Sequence, residues 1–143
     1  MQEKEEGFID YVKNKGYPQD KVAVHKIASI PEIDKKLGEI LECSSHVGGI
    51  FVTTSKVHYI ADYLKEYKLD LRLIGYDLIE DNVVYLKSGI IDYLIFQNPK
   101  LQANKALIAL IDYLAFKKKL PSKMILPASI VIKENVESYL YDL

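Results

Sequence analysis

Apolar residues recur at two spacings that alternate along the chain. Continuous runs rich in valine, isoleucine, leucine and aromatic residues predict strands at 22–27, 49–53, 71–76 and 91–96, and a further extended segment within 124–132. Apolar residues three or four positions apart predict helices at 3–15, 33–41, 57–64, 80–88 and 101–118, and a turn of helix in the tail 136–143. Strands that alternate with helices indicate an α/β fold, a three-layer αβα arrangement with a mostly parallel sheet.

The predicted helix 101–118 is apolar around most of its circumference. Leu107, Leu110 and Leu114 form one face, and Ile108 and Phe116 lie well outside it. A helix of this kind needs burial on more than one side, so we expect it to require a partner in a chain of only 143 residues. The chain also begins on a helix where a doubly wound unit has a strand, which favours an origin in a longer protein.

Size and charge narrow the functional classes. A chain of 143 residues has the size of one domain, 1–143. The 19 basic and 20 acidic residues give no sign of the strongly basic surface that binds nucleic acid. Cys43 is the one cysteine, which excludes an internal disulfide. No apolar run approaches the roughly 20 residues of a membrane span, and the acidic segment 1–6 is unlike a signal peptide. We therefore expect a cytoplasmic protein without membrane contact.

Polar side chains follow three predicted strands at the ends where open α/β sheets bind ligands. Thr54 and Ser55 follow one strand, Tyr76 and Asp77 end the next, and Gln97 ends the third. A carboxylate accepts from two adjacent sugar hydroxyls, and an amide both donates and accepts. Of the eleven tyrosines, Tyr76 is best placed to stack on a sugar. The set suits a polyhydroxyl ligand, although Thr54 or Ser55 also fits a helix N-cap and Asp77 a loop or cap position.

Other chemistry finds no support in the sequence. His25, His46, His58 and Cys43 lack the spacing of a metal site. There is no nucleophile elbow, phosphate-binding loop or dinucleotide fingerprint, so we predict no catalytic residue, no metal and no cofactor. A receiver domain phosphorylated on Asp77 is disfavoured, because the other strand ends lack the acidic cluster and the lysine that such a domain needs.

Gly75-Tyr76-Asp77 ends a predicted strand, a short helix containing Asn82 closes at Gly89, and Gln97-Asn98-Pro99 ends the next strand. This order resembles the effector domain of LacI-type transcription regulators and of the related periplasmic sugar-binding proteins. Further segments resemble the opening helix, an upstream strand and turn, and the tail of the regulators; they are Glu6-Gly7-Phe8, 49–55 and 127–135. The resemblance covers nearly the whole chain.

The resemblance implies the C-terminal lobe of a type I periplasmic-binding-protein-like fold, without enzymatic activity. It implies that Asp77 and Gln97 contact a sugar or sugar phosphate, with Thr54 or Ser55 contributing. It also implies a homodimeric regulator that reaches DNA only through a missing N-terminal domain, and a helix within 101–120 that crosses to a missing N-terminal lobe. The alternative is a periplasmic sugar-binding protein or a receptor sensor domain.

Two positions depart from the family pattern. Thr54 and Ser55 stand where the family usually has asparagine or aspartate, which leaves the role of this turn open. Gln2 and Lys4 occupy the stretch where an arginine commonly precedes the Gly-Phe pair. The contact made by that arginine is therefore either lost or supplied by the missing part.

Overall fold

The computed structural model describes residues 2–18, 21–43 and 47–140, in which helices alternate with short strands. The helices are α1 (Gln2–Asn14), α2 (Ile33–Cys43), α3 (Val57–Glu66), α4 (Glu80–Ser88), α5 (Pro99–Phe116) and α6 (Glu137–Leu140). A 3-10 turn, Ile30–Glu32, precedes α2. The strands are β1 (Gly49–Phe51), β2 (Arg72–Tyr76), β3 (Tyr93–Phe96) and β4 (Ser129–Val131).

The four strands form one sheet in the order β1-β2-β3-β4. The first three are parallel, and β4 runs antiparallel to β3. Because consecutive parallel strands joined by right-handed crossovers place their helices on one face, α3 and α4 pack side by side there, and α2 packs against α3. The predicted α/β fold with a mostly parallel sheet is confirmed.

The core lies between this helical layer and the sheet. Leu73 and Leu94, on neighbouring strands, are fully buried there, as are Leu64 of α3 and Leu86 of α4. Gly75 of β2 permits the close approach of α3, since a Cβ at this position would lie 2.5 Å from the Cβ of Val57. This contact fixes the start of α3 directly above the carboxyl end of β2.

The second face of the sheet is covered only in part. Phe51 pairs in register with Ile74 on this face, and Phe8 of α1 stacks on Phe51 with ring centroids 5.0 Å apart. Farther across, Tyr93 and Ile130 are 44% and 65% exposed. The third layer therefore consists of α1 over the β1 side of the sheet.

The predicted strand 22–27 is wrong, because this segment has no regular structure and is largely exposed. A strand requires a neighbour that completes its ladder of hydrogen bonds. In the doubly wound strand order 2-1-3-4-5, segment 22–27 takes the place of the second strand and β1 that of the third. The first strand of that order would lie between them. The described residues provide no strand at that place, so the apolar run 22–27 has nothing to pair with. Ser29 and Glu32 have the spacing of a capping box, but the Ser29 side chain makes no capping hydrogen bond.

Helix α5 confirms the prediction of a long helix, shifted by two residues. Asn98 is the N-cap of α5, and its Oδ1 accepts from the Leu101 amide at 2.9 Å. No residue of α5 is buried. From Leu107 onward, its large apolar side chains are 48% to 66% exposed; they are Leu107, Ile108, Leu110, Ile111, Tyr113, Leu114 and Phe116. One side of α5 borders the return segment 120–126 across a depression of about 290 Å³.

In the tail, the predicted turn of helix is α6, and residues 141–143 lie outside the described residues. Among the described helices, none has the length and apolar character needed to span a membrane.

Candidate functional site

Asn82, fully buried in α4, joins the turns that follow β1 and β2. Its Nδ2 donates to the carbonyl oxygens of Ser55, Tyr76 and Asp77, at 2.9, 3.0 and 3.0 Å. Its Oδ1 accepts from the backbone amide of His58 at 3.1 Å. One side chain thus provides hydrogen-bond partners for backbone groups of both turns and of the first turn of α3. These bonds fix the relative positions of three predicted site residues, Ser55, Tyr76 and Asp77. The sequence pattern contained Asn82 but gave no indication of this role.

His58 completes the same buried cluster. Its Nδ1 lies 3.0 Å from the Oδ1 of Asn82; since an amide oxygen only accepts, Nδ1 carries the proton. Its ring packs on the Tyr59 ring, with the two ring centroids 4.1 Å apart, and its Nε2 lies 4.0 Å from the Oδ2 of Asp81. His58 is therefore a packed histidine that orients Asn82. His46, another histidine of the excluded metal set, lies outside the described residues.

The Thr54-Ser55 turn leads from β1 into α3. Lys56 occupies the N-cap of α3 without a side-chain capping bond, so the N-cap interpretation of Thr54 or Ser55 is wrong. The Oγ1 of Thr54 accepts from the Lys56 amide at 3.3 Å, which closes a hydroxyl-stabilised turn. Both residues are half-buried at the carboxyl edge of the sheet.

Asp77 follows β2 in a left-handed conformation, with φ of 67°. Its amide donates to the Ile95 carbonyl at 3.1 Å, which continues the β2–β3 pairing by one residue past the strand. Aspartate and asparagine tolerate this conformation better than most residues, and Asn98, just after β3, adopts it too, with φ of 48°. The chain therefore turns sharply at the ends of both strands, and the Asp77 side chain is half-buried at the edge.

Gln97 and Tyr76 meet a residue that the sequence did not place at the site, Lys4 of α1. The Nζ of Lys4 donates to the Oε1 of Gln97 at 3.1 Å and lies 3.5 Å from the centroid of the Tyr76 ring. The ring centroids of Phe51 and Tyr76 are 5.9 Å apart, and Tyr76 is only 8% exposed. The one sequence signal for Lys4 was its position in the stretch where the family commonly has arginine.

The electrostatics of this edge combine a cation, a carboxylate and a neutral phenol. Burial, and after it the charge of Asp77, raise the pKa of Tyr76 above its ordinary value of 10.0. The phenol therefore stays protonated at neutral pH and keeps a hydroxyl donor. Lys4 supplies an ammonium and Asp77 a carboxylate, so the edge presents one charge of each sign.

The structure thus brings together Thr54, Ser55, Tyr76, Asp77 and Gln97, all at the carboxyl edge of the parallel strands. Hydroxyls, a carboxylate and an amide in this arrangement can bind a polyhydroxyl ligand through several directional hydrogen bonds. A depression of about 280 Å³ lies at the opposite edge, among residues such as Asp70, Arg72 and Asp92. The predicted site is thus separate from that depression.

Comparison with known proteins identifies the family. A family model described as periplasmic binding protein domain matches residues 1–119. A protein from Bacteroides fragilis described as a candidate LacI transcriptional regulator is 34% identical over 74% of this chain and 37% of its own length, with a TM-score of 0.69. No curated protein sequence matches the chain.

Two sugar-binding proteins share the fold at lower identity. GanP, a glucose-galactose binding protein from Geobacillus stearothermophilus, is 18% identical, with 76% of this chain and 39% of GanP covered and a TM-score of 0.67. A periplasmic solute binding protein of an ABC transporter from Actinobacillus succinogenes, with bound D-allose, is 23% identical, with 78% and 40% covered and a TM-score of 0.69. The chain spans less than half the length of these structures. With well over half of its residues matched by the family model, the chain belongs to the periplasmic binding protein domain family.

Proposed function

We propose that this chain is the effector-binding C-terminal lobe of a LacI-type transcription regulator. A sugar or sugar phosphate binds between it and an N-terminal lobe, and closure of the two lobes controls operator binding. The observation that carries the proposal is the convergence of Tyr76, Asp77 and Gln97 at one sheet edge, where Asn82 holds the turns in place. The regulator assignment is supported by the 34% identity to the Bacteroides fragilis protein.

The proposed ligand contacts follow from the chemistry of each group. The Asp77 carboxylate accepts from two adjacent hydroxyls, and Gln97 accepts and donates through its amide. Tyr76 offers an aromatic ring and a neutral hydroxyl, and Thr54 or Ser55 adds a hydroxyl at the neighbouring turn. A sugar placed on this edge alone keeps one side in water, so tight binding requires a second lobe that covers that side.

The second lobe also accounts for α5. We propose that residues 101–120 contain the helix that packs against the N-terminal lobe, because the apolar side chains of this helix are exposed in the lobe formed by this chain. The ligand favours the closed state only to the extent that it binds that state more tightly. Dimerisation of the regulator, in the cytoplasm, then carries closure to DNA-binding domains outside this chain.

A sugar-binding protein of a transport system, or a receptor sensor domain, is the second candidate. The fold similarity to GanP and to the D-allose-bound solute binding protein supports it. The two candidates differ in location and in DNA binding. An antibody against this chain should detect, in the cytoplasmic fraction, a polypeptide well above 16.4 kDa that is retained on DNA. Release with the periplasmic or membrane fraction would favour the second candidate.

Calorimetric titration of the native protein tests the ligand site. We expect binding of at least one member of a panel of aldoses, ketoses and their phosphates, including D-allose, D-arabinose, glucose and galactose. Asp77→Ala should weaken that binding by about tenfold or more, because it removes a charged acceptor of two hydrogen bonds. Asp70→Ala, the same change at the opposite edge of the sheet, is the control. Absence of any sugar binding, with Asp77→Ala indistinguishable from the unmodified protein, would refute the site.

A further inference from the structure

The Lys4 ammonium covers one face of the Tyr76 ring. It is 3.5 Å from the ring centroid, and Phe51 lies 5.9 Å from the same ring. A sugar that stacks on this face must therefore displace the ammonium and break its bond to Gln97. A ligand that binds the ammonium itself leaves both contacts in place.

The Lys4 ammonium has donor capacity left for such a ligand. An ammonium carries three N–H bonds; Gln97 accepts one, and the ring of Tyr76 attracts the charge without requiring a second hydrogen bond. None of the ion pairs among the described residues includes Lys4. The side chain is half-buried, where an uncompensated charge is costly and an added anion is favourable.

We infer that the ligand of this site is an acidic sugar, which carries a phosphate or a carboxylate bound by Lys4. The inference rests on the proposed function and specifies its ligand class. Lys4 receives the anionic group and Asp77 the hydroxyls, so the two charges of the edge orient the ligand in one direction. Lys4 is a residue that determines specificity, and it sets the preference between the acidic sugar and its neutral counterpart.

Titration of the native protein with matched ligand pairs tests this inference. The pairs are D-ribose and D-ribose 5-phosphate, D-glucose and D-glucose 6-phosphate, D-glucose and D-gluconate, and D-galactose and D-galacturonate. We expect the acidic member of one pair to bind about tenfold or more tightly than the neutral one, as a charge-assisted hydrogen bond would provide. The pairs also separate phosphate from carboxylate recognition.

Substitutions at Lys4 assign the preference to this side chain. Lys4→Met should remove the preference, because it weakens the acidic ligand about tenfold more than the neutral one, and Lys4→Arg should retain it. Lys56→Met is the control, because Lys56 is an exposed lysine at the same edge. Equal loss in Lys4→Met and Lys56→Met, or an unmodified protein that prefers neutral sugars, would overturn the inference. In both cases sugar still binds and the proposed function stands, whereas absence of binding to every pair refutes the proposed function.

Discussion

Asn82 is buried completely and still has a partner for each of its polar atoms. It could be quoted as part of a sequence pattern, but its partners lie in three different segments, and only the folded chain brings them together. The same holds for Lys4, which is 93 positions from Gln97. Thr54, Asp77 and Gln97 could be predicted because the carboxyl ends of parallel strands share one edge. Contacts to that edge from a distant helix have no such rule.

Asn82→Ala should strongly destabilise the lobe. The change leaves the buried Tyr76 carbonyl, the buried His58 amide and the partly buried Asp77 carbonyl without their partner. Each unsatisfied buried group costs about 1–3 kcal/mol. We expect the free energy of unfolding, measured with urea, to fall by about 3 kcal/mol or more. Asn104→Ala on exposed α5 should change it by less than about 0.5 kcal/mol. Equal stability of the two variants would contradict the role assigned to Asn82.

The Tyr85–Asp62 pair gives the lobe a pH-dependent contribution. The Tyr85 hydroxyl donates to Asp62; this bond, and then burial and the Asp62 charge, raise the pKa of Tyr85 to about 12 from 10.0. Since the folded pKa lies above the unfolded one, the stabilisation is complete below about pH 10 and is lost as the pH rises towards about 12. Tyr85→Phe should therefore be less stable than the unmodified chain at pH 8, and the gap should narrow above pH 10. Urea unfolding from pH 8 to pH 12 measures this difference in the free energy of unfolding. A difference that stays constant up to pH 12 would contradict the role of the Tyr85–Asp62 bond. Tyr113→Phe on exposed α5 is the control and should show no narrowing.

At the scale of elements, periodicity predicted each segment that has a neighbour to pack on. Helices α3 and α4 and strands β2 and β3 lie within two residues of their predicted bounds, because each buries an apolar face that the pattern displays. Segment 22–27 has the composition of a strand, but no strand lies beside it in the described parts of the chain. A strand forms only by hydrogen bonding to a neighbouring strand, so the apolar run of one segment could not show that this neighbour is absent.

The packing of α3 on β2 predicts a strict requirement at Gly75. Gly75→Ala places a methyl group 2.5 Å from the Cβ and Cγ1 of Val57, and Val57 is fully buried, so the helix must move away from the sheet. We expect a loss of about 1–3 kcal/mol in the free energy of unfolding, as in other overpacked cores. Gly7→Ala in α1, where nothing lies within 4 Å of the added Cβ, should instead stabilise by about 0.5–1 kcal/mol. Thermal unfolding of both variants should show opposite shifts in Tm; shifts of the same sign would contradict the close approach.

At the scale of the whole molecule, a proposed site that is open on one side and a helix without a buried residue point to the same cause. The proposed site forms one half of a ligand cleft at the carboxyl edge of the sheet, and α5 carries an apolar surface that its own lobe leaves uncovered. The length of α5 was predictable from its composition. Its need for a further partner was indicated by apolar residues around most of the circumference, a pattern that favours burial by more than one neighbour.

The 143-residue chain on its own should hide α5 by associating with a second copy. The exposed side chains of α5 form an apolar patch of the kind that monomeric proteins avoid, and two copies can bury it symmetrically. Sedimentation velocity at micromolar concentration should therefore show a dimer or larger species. Leu107 and Leu114 are each 57% exposed; the double change Leu107→Glu and Leu114→Glu should give a monomer because two charges on each helix cannot be buried together. Val84→Glu on α4, where Val84 is 58% exposed, should leave association intact. A monomeric unmodified chain in which α5 stays exposed would show that this helix needs no partner, and only the open side of the proposed site would then support a second lobe.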